Sequence, residues 1–304
     1  MIAGVMVGPA GPEWWRIPLE LLDRLPFVSI DSGISKIDWN IVMQIRAPRV
    51  VLAALVGSML SLAGASYQGV FRNPLAEPAT VGVSAGAAVG AVIAIIVGLN
   101  TFPLGVQFAA FIGGTLSTAL VYLLSRSDGK TEVVTMILTG IAINAFAGAV
   151  IGFGIFVADD DELRSVTFWS LGTLGLATWN AVGVVAPLAL LGILISTKFS
   201  RVLDILALGD RPASHLGVRV EPVRLQAIAV VGLLASSAVA ATGIIAFVGL
   251  LVPHIMRIVL GPRHRHLLWT SALLGATVTL LADLAARTLL SPAELPLGVV
   301  TALI

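Results

Sequence analysis

The chain has 304 residues, of which 57% are apolar and only 12% charged, and its net charge is +1. Soluble domains carry about 25% charged residues, so this balance excludes a soluble protein, and no basic cluster is dense enough for nucleic acid. Cysteine is absent, which rules out disulfides, a thiol nucleophile and thiolate metal sites.

A membrane-crossing helix needs about 20 apolar residues. Eight complete spans are predicted, at 50–70, 79–99, 103–124, 133–157, 181–197, 225–242, 244–260 and 267–290. Residues 1–8 read as the tail of a further span and 296–304 as the start of another, so both ends look cut. Residues 1–8 are too short for a signal-peptide core. Residues 9–46 form the longest polar stretch near the start, with Trp14, Trp15 and Trp39 suited to an interfacial belt. Residues 17–25 are predicted to form a short amphipathic helix lying on the bilayer.

The stretch 46–90 organises the chain. Arg46-Ala47-Pro48-Arg49 precedes the first complete span, and the proline-bracketed turn Arg72-Asn73-Pro74-Leu75-Ala76-Glu77-Pro78 follows it. Next comes the small-residue run Val81-Gly82-Val83-Ser84-Ala85-Gly86-Ala87-Ala88-Val89-Gly90. Small residues let membrane helices approach closely.

Lysine and arginine set the orientation. One set of loops and helix ends holds Arg72, Arg126, Lys130, Lys198, Arg201, Arg211, Arg219, Arg224, Arg257, Arg263 and Arg265, and is assigned to the cytoplasm. The opposite short loops hold only Arg164. The N-terminal segment is placed outside, because Glu13, Glu20, Asp23, Asp31 and Asp38 offset Arg16, Arg24, Lys36, Arg46 and Arg49.

The external loop 158–180 carries the acidic run 159–162, read as a solvated rim, and the pair Phe168 and Trp169, read as an interface anchor. The largest cytoplasmic loop, 198–224, is predicted to hold two short helices. The first carries Leu203, Leu206 and Ala207 and ends at Gly209; the second starts at Asp210 as N-cap, with Pro212 in its first turn. Such short helices need a partner surface or form a self-contained connector. In 225–260 a break is expected at Thr242-Gly243, with Gly249 and Pro253 loosening the second half. Irregular backbone in hydrocarbon must be covered by protein or line a cavity. Residues 56–61 and 231–236 form a weak internal repeat in spans of opposite direction.

Some motifs imitate catalysis. Gly82-Val83-Ser84-Ala85-Gly86 matches a nucleophile elbow but opens an apolar helix, where small-residue packing accounts for it; an intramembrane hydrolase using Ser84 is the rival. Gly129-Lys130-Thr131 lacks the upstream glycine of a P-loop. His264 and His266 flank Arg265 and suit a basic turn better than a metal site; no metal ligands and no catalytic residues are assigned. Asp283 and Arg287 lie four residues apart in an apolar span. They read as an internal ion pair, or as the proton or ion site of a secondary transporter.

The residues Arg-x-Pro-Arg at 46–49, the 72–78 turn, Gly82 to Ala87, Leu208-Gly209-Asp210 with Leu216-Gly217, 243–250 with 253–257, 281–287 and 294–301 together resemble the FecCD permease family over nearly the whole chain. The resemblance implies an all-α polytopic membrane helix bundle, the BtuC-like ABC importer fold, with ten helices in the full chain. It makes residues 1–304 a single transmembrane permease domain with 198–224 as its coupling loop. It implies a homodimer in the bacterial cytoplasmic (inner) membrane, two ATP-binding subunits inside, and a substrate-binding protein outside. Arg46, Arg49 and Arg287 match the external arginines that receive glutamates of the binding protein. Leu203, Leu206, Leu208, Gly209, Asp210, Ala213, Leu216 and Gly217 match the helices that dock into the ATPase. The permease itself binds no cofactor; ATP and magnesium belong to the partner. The cargo implied is an iron compound: residues 158–164 with 167–172 resemble the haem-importing branch. A ferric siderophore is the alternative, then cobalamin. Span 133–157 departs from that branch by carrying no charged residue.

Overall fold

The computed structural model describes residues 1–8, 12–23, 32–127 and 129–303. Arg24, Asp31 and the last two residues of the predicted interfacial helix lie outside them. In chain order the elements are α1 (Ile2–Met6), α2 (Arg16–Asp23), α3 (Lys36–Asn40), a π-helical stretch Ile41–Arg46, α4 (Ala47–Phe71), α5 (Val83–Ile96), α6 (Gly105–Leu124), a two-stranded hairpin of β1 (Arg126–Ser127) and β2 (Lys130–Thr131), and α7 (Val133–Val157). Then come α8 (Asp160–Ser170), α9 (Trp179–Leu206), α10 (Asp210–His215), α11 (Val220–Thr242), α12 (Val248–Leu260), α13 (His264–Thr288) and α14 (Leu297–Leu303).

Each predicted span contains a helix, but two are shorter than expected. Among the described residues six helical stretches are long and apolar enough to cross a membrane: Lys36–Phe71, Gly105–Leu124, Val133–Val157, Trp179–Leu206, Val220–Thr242 and His264–Thr288. α5 and α12 have 14 and 13 residues. At 1.5 Å per residue they extend about 20 Å, against a hydrocarbon core of about 30 Å. The reason is local. Pro78 opens a 3₁₀ turn and Gly82 is left-handed before α5; Gly243 (φ 74°) and Phe247 (φ 64°) delay α12. Thr242 ends α11, as the sequence predicts.

The non-helical backbone around this break is covered by protein. The Thr173 amide donates to the Thr242 carbonyl at 2.7 Å. The Leu297 and Gly298 amides donate to the carbonyls of Gly172 and Leu171 at 2.9 and 3.0 Å. Every such bond saves a polar group from hydrocarbon, where an unpaired one costs several kcal/mol.

α4 is the central helix. It is buried nearly all round, consistent with a sequence apolar on every face, and it packs against α9, α11, α12 and α13. Small residues set the closest approaches. A Cβ at Gly57 would strike the carbonyl of Gly275 on α13, and one at Gly64 would strike that of Gly249 on α12. Gly64 thus lets α4 lie directly against the backbone of α12 at Gly249.

The amphipathic reading of α2 holds for Ile17, which is buried, with Leu21 and Leu22 exposed. Glu20 is also buried, however, and accepts from the Ser32 hydroxyl, so the helix is tied to the chain itself.

Candidate functional site

Two polar clusters sit in this apolar bundle. The first lies at the end assigned as external. The π-helical stretch leads into α4 with Pro48 in the first turn of α4, which places Arg46 and Arg49 at one helix end. Arg287, in the last turn of α13, meets them. Arg49 Nε donates to Asp283 Oδ1 at 2.8 Å, and its Nη1 donates to Glu294 Oε2 at 2.9 Å. Arg287 Nε lies 3.1 Å from Asp283 Oδ2. One buried carboxylate thus serves two guanidiniums.

The predicted ion pair of Asp283 and Arg287 is therefore present, with Arg49 as a third member. The three arginines assigned to the outer end, Arg46, Arg49 and Arg287, are only 4%, 6% and 3% exposed. Residues 4–8 cover Arg46 and Arg287, while Asp283 and Glu294 hold Arg49. Arg46 donates to the carbonyls of Val5, Met6 and Gly8, and Arg287 to those of Gly4 and Val7. The last carbonyls of a helix have no partner within it, and here guanidiniums supply one at the end of α1. Trp179 Nε1 adds a tie from α9 to the carbonyl of Met43 in the π-helical stretch, at 2.8 Å.

The second cluster lies at the opposite end and holds α10. The helix expected at 203–208 is not separate; it is the last turn of α9, because no Gly or Pro occurs between residues 193 and 207. Gly209 (φ 116°), not Asp210, is the N-cap of α10. Asp210 is used differently. Arg224 Nη2 donates to both its oxygens at 3.1 and 3.2 Å, and Arg72 lies 3.5 Å away. The same buried Arg224 bonds Glu221 at 2.7 Å and the Thr131 carbonyl at 3.3 Å. Glu221 in turn accepts from the amide and hydroxyl of Thr131. One guanidinium thus fastens the β-hairpin, α10 and the start of α11. Of the predicted coupling residues, Leu203, Leu206 and Ala213 are buried and turn inward. Leu208 and Leu216 stand out at 65% and 63% exposure, with Gly209 and Gly217 (φ 84°) turning the chain between them and the flanking helices.

The catalytic look-alikes dissolve. Ser84 lies in the first turn of α5 behind a 3₁₀ turn, with no strand before it among the described residues. Thr131 of the Gly-Lys-Thr run is engaged by Glu221. His264 is not part of an exposed basic turn. It is 1% exposed, and its Nδ1 lies 2.7 Å from Asp204 Oδ1, which also accepts from its amide. Sequence reasoning missed Arg224, Asp204 and the part played by Glu294. Only the Glu221–Arg224 spacing, three apart on one helix, gave any local signal.

The acidic run 159–162 does more than face solvent. Asp159 caps α8 in a capping box with Glu162, and Asp160, Asp161 and Glu162 occupy its first turn, where the helix dipole favours carboxylates. α8 walls a cavity of about 660 Å³ that includes Phe102, Gln107, Arg164, Phe168 and Trp169 among its lining residues. On the other side, burial pushes the Glu77 carboxyl above the usual range, while a bond from the Phe247 amide partly opposes it.

The model of the FecCD transport family matches residues 1–304. The chain is 41% identical over 270 residues to the hemin transport system permease protein HmuU of Yersinia pestis, covering 88% of this chain and 80% of that protein. It is 40% identical over 300 residues to the cobalamin import system permease protein BtuC of Halobacterium salinarum, covering 99% and 79%. The Fe(3+) dicitrate permease FecD of Escherichia coli is 38% identical over 291 residues, covering 91% and 90%. Among solved structures, an inward-facing ABC transporter described as of metal-chelate type superposes with a TM-score of 0.83 at 32% identity, covering 95% of each chain. The chain belongs to the FecCD transport family and is a multi-pass permease subunit of a type II ABC importer.

Proposed function

We propose that this permease imports haem across the bacterial cytoplasmic membrane as a homodimer, with two ATP-binding subunits inside and a substrate-binding protein outside. The observation that carries the cargo is the cavity under α8, where Phe102, Phe168 and Trp169 accompany Arg164. A porphyrin offers a broad apolar face to aromatic rings and propionates to a guanidinium. The likeness to HmuU supports the same cargo. A ferric siderophore is the second reading and cobalamin the third, supported by the likeness to FecD and BtuC.

The permease performs no bond chemistry. The ATP-binding subunits hold ATP and magnesium, and exposed Leu208 and Leu216 are the contacts offered to them. Arg46, Arg49 and Arg287 receive carboxylates of the binding protein once Glu294 and the carbonyls of residues 4–8 release them. Each step needs a ligand that binds one conformation better than the other, and docking outside and nucleotide inside provide two.

The cargo is tested by uptake into proteoliposomes holding permease and ATP-binding subunit, with ATP inside. Haem-loaded and ferric-siderophore-loaded binding proteins are compared. Haem entry is expected, falling about tenfold with Arg164→Gln, the cost of one charged hydrogen bond. Entry of the siderophore alone would discard haem and keep the importer.

A further inference from the structure

Arg257 is a cation without a counter-ion. It sits in the last turn of α12, and no carboxylate lies within 4 Å of it among the described residues. Its Nε and Nη2 are buried and make no hydrogen bond. Close by, His264 Nε2 is also buried and unpartnered, although the ring is fixed through Nδ1 by Asp204. Gly69 permits this placement, since a Cβ there would collide with His264 Nε2. Arg257 and His264 line one pocket of about 240 Å³ together with Gln68, Gly69, Arg72 and Ala207. Gln68 Oε1 is unpartnered as well, while its Nε2 donates to the Leu250 carbonyl at 3.1 Å. The pocket is therefore lined by two guanidiniums and an imidazole, with no carboxylate among the described residues that line it.

Arg257 is half-buried, and the hydrogen-bonding capacity of its two buried nitrogens is unmet among the described residues; an anion from a partner chain would meet it. Its source follows from position. Ala207 leads from α9 into the turn before α10, whose neighbours Leu208 and Leu216 are the large exposed apolar residues of this region. Arg72 belongs to the pocket and also lies 3.5 Å from Asp210 on α10. A subunit seated on α10 comes beside the pocket mouth. We infer that this pocket receives a carboxylate side chain of the cytoplasmic ATP-binding subunit, with Arg257 as its principal partner and Arg72 at the rim. The inference rests on the importer reading above and names a second attachment point beside α10. A fork of guanidinium on carboxylate fixes orientation as well as affinity, so the joint would carry torque that apolar contact at Leu208 and Leu216 alone cannot.

The test uses full-length permease in nanodiscs and the ATP-binding subunit that co-purifies with it. Arg257→Met is expected to raise the Kd for that subunit about 10- to 100-fold and to flatten its salt dependence, while the Tm of the permease alone stays level or rises. Removing a half-buried guanidinium whose Nε and Nη2 have no partner has that sign. Arg72→Gln, at a half-exposed site, keeps the test valid if Arg257→Met misfolds; it should weaken binding about tenfold. An unchanged Kd in both variants overturns the inference. If native mass spectrometry then shows an anionic phospholipid lost from Arg257→Met, a lipid phosphate is the true occupant. Failure of the wild-type permease to bind any ATP-binding subunit overturns the importer reading itself, a result distinct from normal binding by both variants.

Discussion

Asp283→Asn lowers the stability of the permease by about 3–5 kcal/mol, read as a fall in the thermal midpoint of the purified protein. The side chain is 1% exposed and faces Arg49 at 2.8 Å and Arg287 at 3.1 Å. The amide has the same shape but no charge. Arg49 keeps Glu294, whereas Arg287 keeps only backbone carbonyls among the described residues. An uncompensated guanidinium then remains buried. Adding Arg287→Met should recover part of the loss, because the double variant removes the stranded charge, and the two changes should be strongly non-additive. A secondary transporter using Asp283 as its proton site makes the opposite forecast: Asp283→Asn would be stable and inactive, and transport would need no ATPase. A carboxylate bonded to two arginines is committed to holding them, with Arg49 at 2.8 Å and Arg287 at 3.1 Å.

The membrane helices were legible because a span announces itself by composition alone, within about 20 consecutive residues. The break at Gly243 was legible for the same local reason. The shortness of α5 and α12 was not. Hydropathy counts apolar residues whether or not they are helical, and the backbone turns at Gly82 and Phe247 leave them apolar. The burial of Arg46, Arg49 and Arg287 was equally hidden. Arg49 and Asp283 are 234 residues apart, and no local pattern reports such a pairing. Motif likeness identified the three arginines as a group, and the structure does bring them together, but their partners are the chain's own carbonyls and carboxylates. Asp210 shows the same limit. Its sequence context reads as an N-cap, yet Gly209 takes that place because α10 begins from a left-handed turn, and Asp210 is free to bind Arg224.

Arg224→Met uncouples ATP hydrolysis from the binding protein. Arg224 is 3% exposed and joins Asp210, Glu221 and the carbonyl of Thr131, three points on three elements. Without it α10 loses its anchor, and on the coupling route proposed above the movement of the ATP-binding subunits would reach α9 and α11 through a loose joint. Arg224 is a positioning residue, so a stability readout alone would not separate coupling from folding. Asp210→Asn supplies the separation. Asp210 is about half exposed, where an ion pair contributes only about 0–1 kcal/mol, so Tm should barely move. Stimulation of hydrolysis by loaded binding protein should nevertheless fall several-fold in both variants. Normal stimulation in Asp210→Asn would mean that α10 is held by its backbone and by Ala213 rather than by this charge cluster.

The most direct test of the importer reading is the ATP dependence of entry into proteoliposomes containing the permease and its ATP-binding subunit, with loaded binding protein outside. The account predicts entry with ATP in the lumen, none with a non-hydrolysable analogue, and a steep loss when Arg46, Arg49 and Arg287 face a binding protein whose surface carboxylates have been reversed in charge. Entry at equal rate without nucleotide would contradict it.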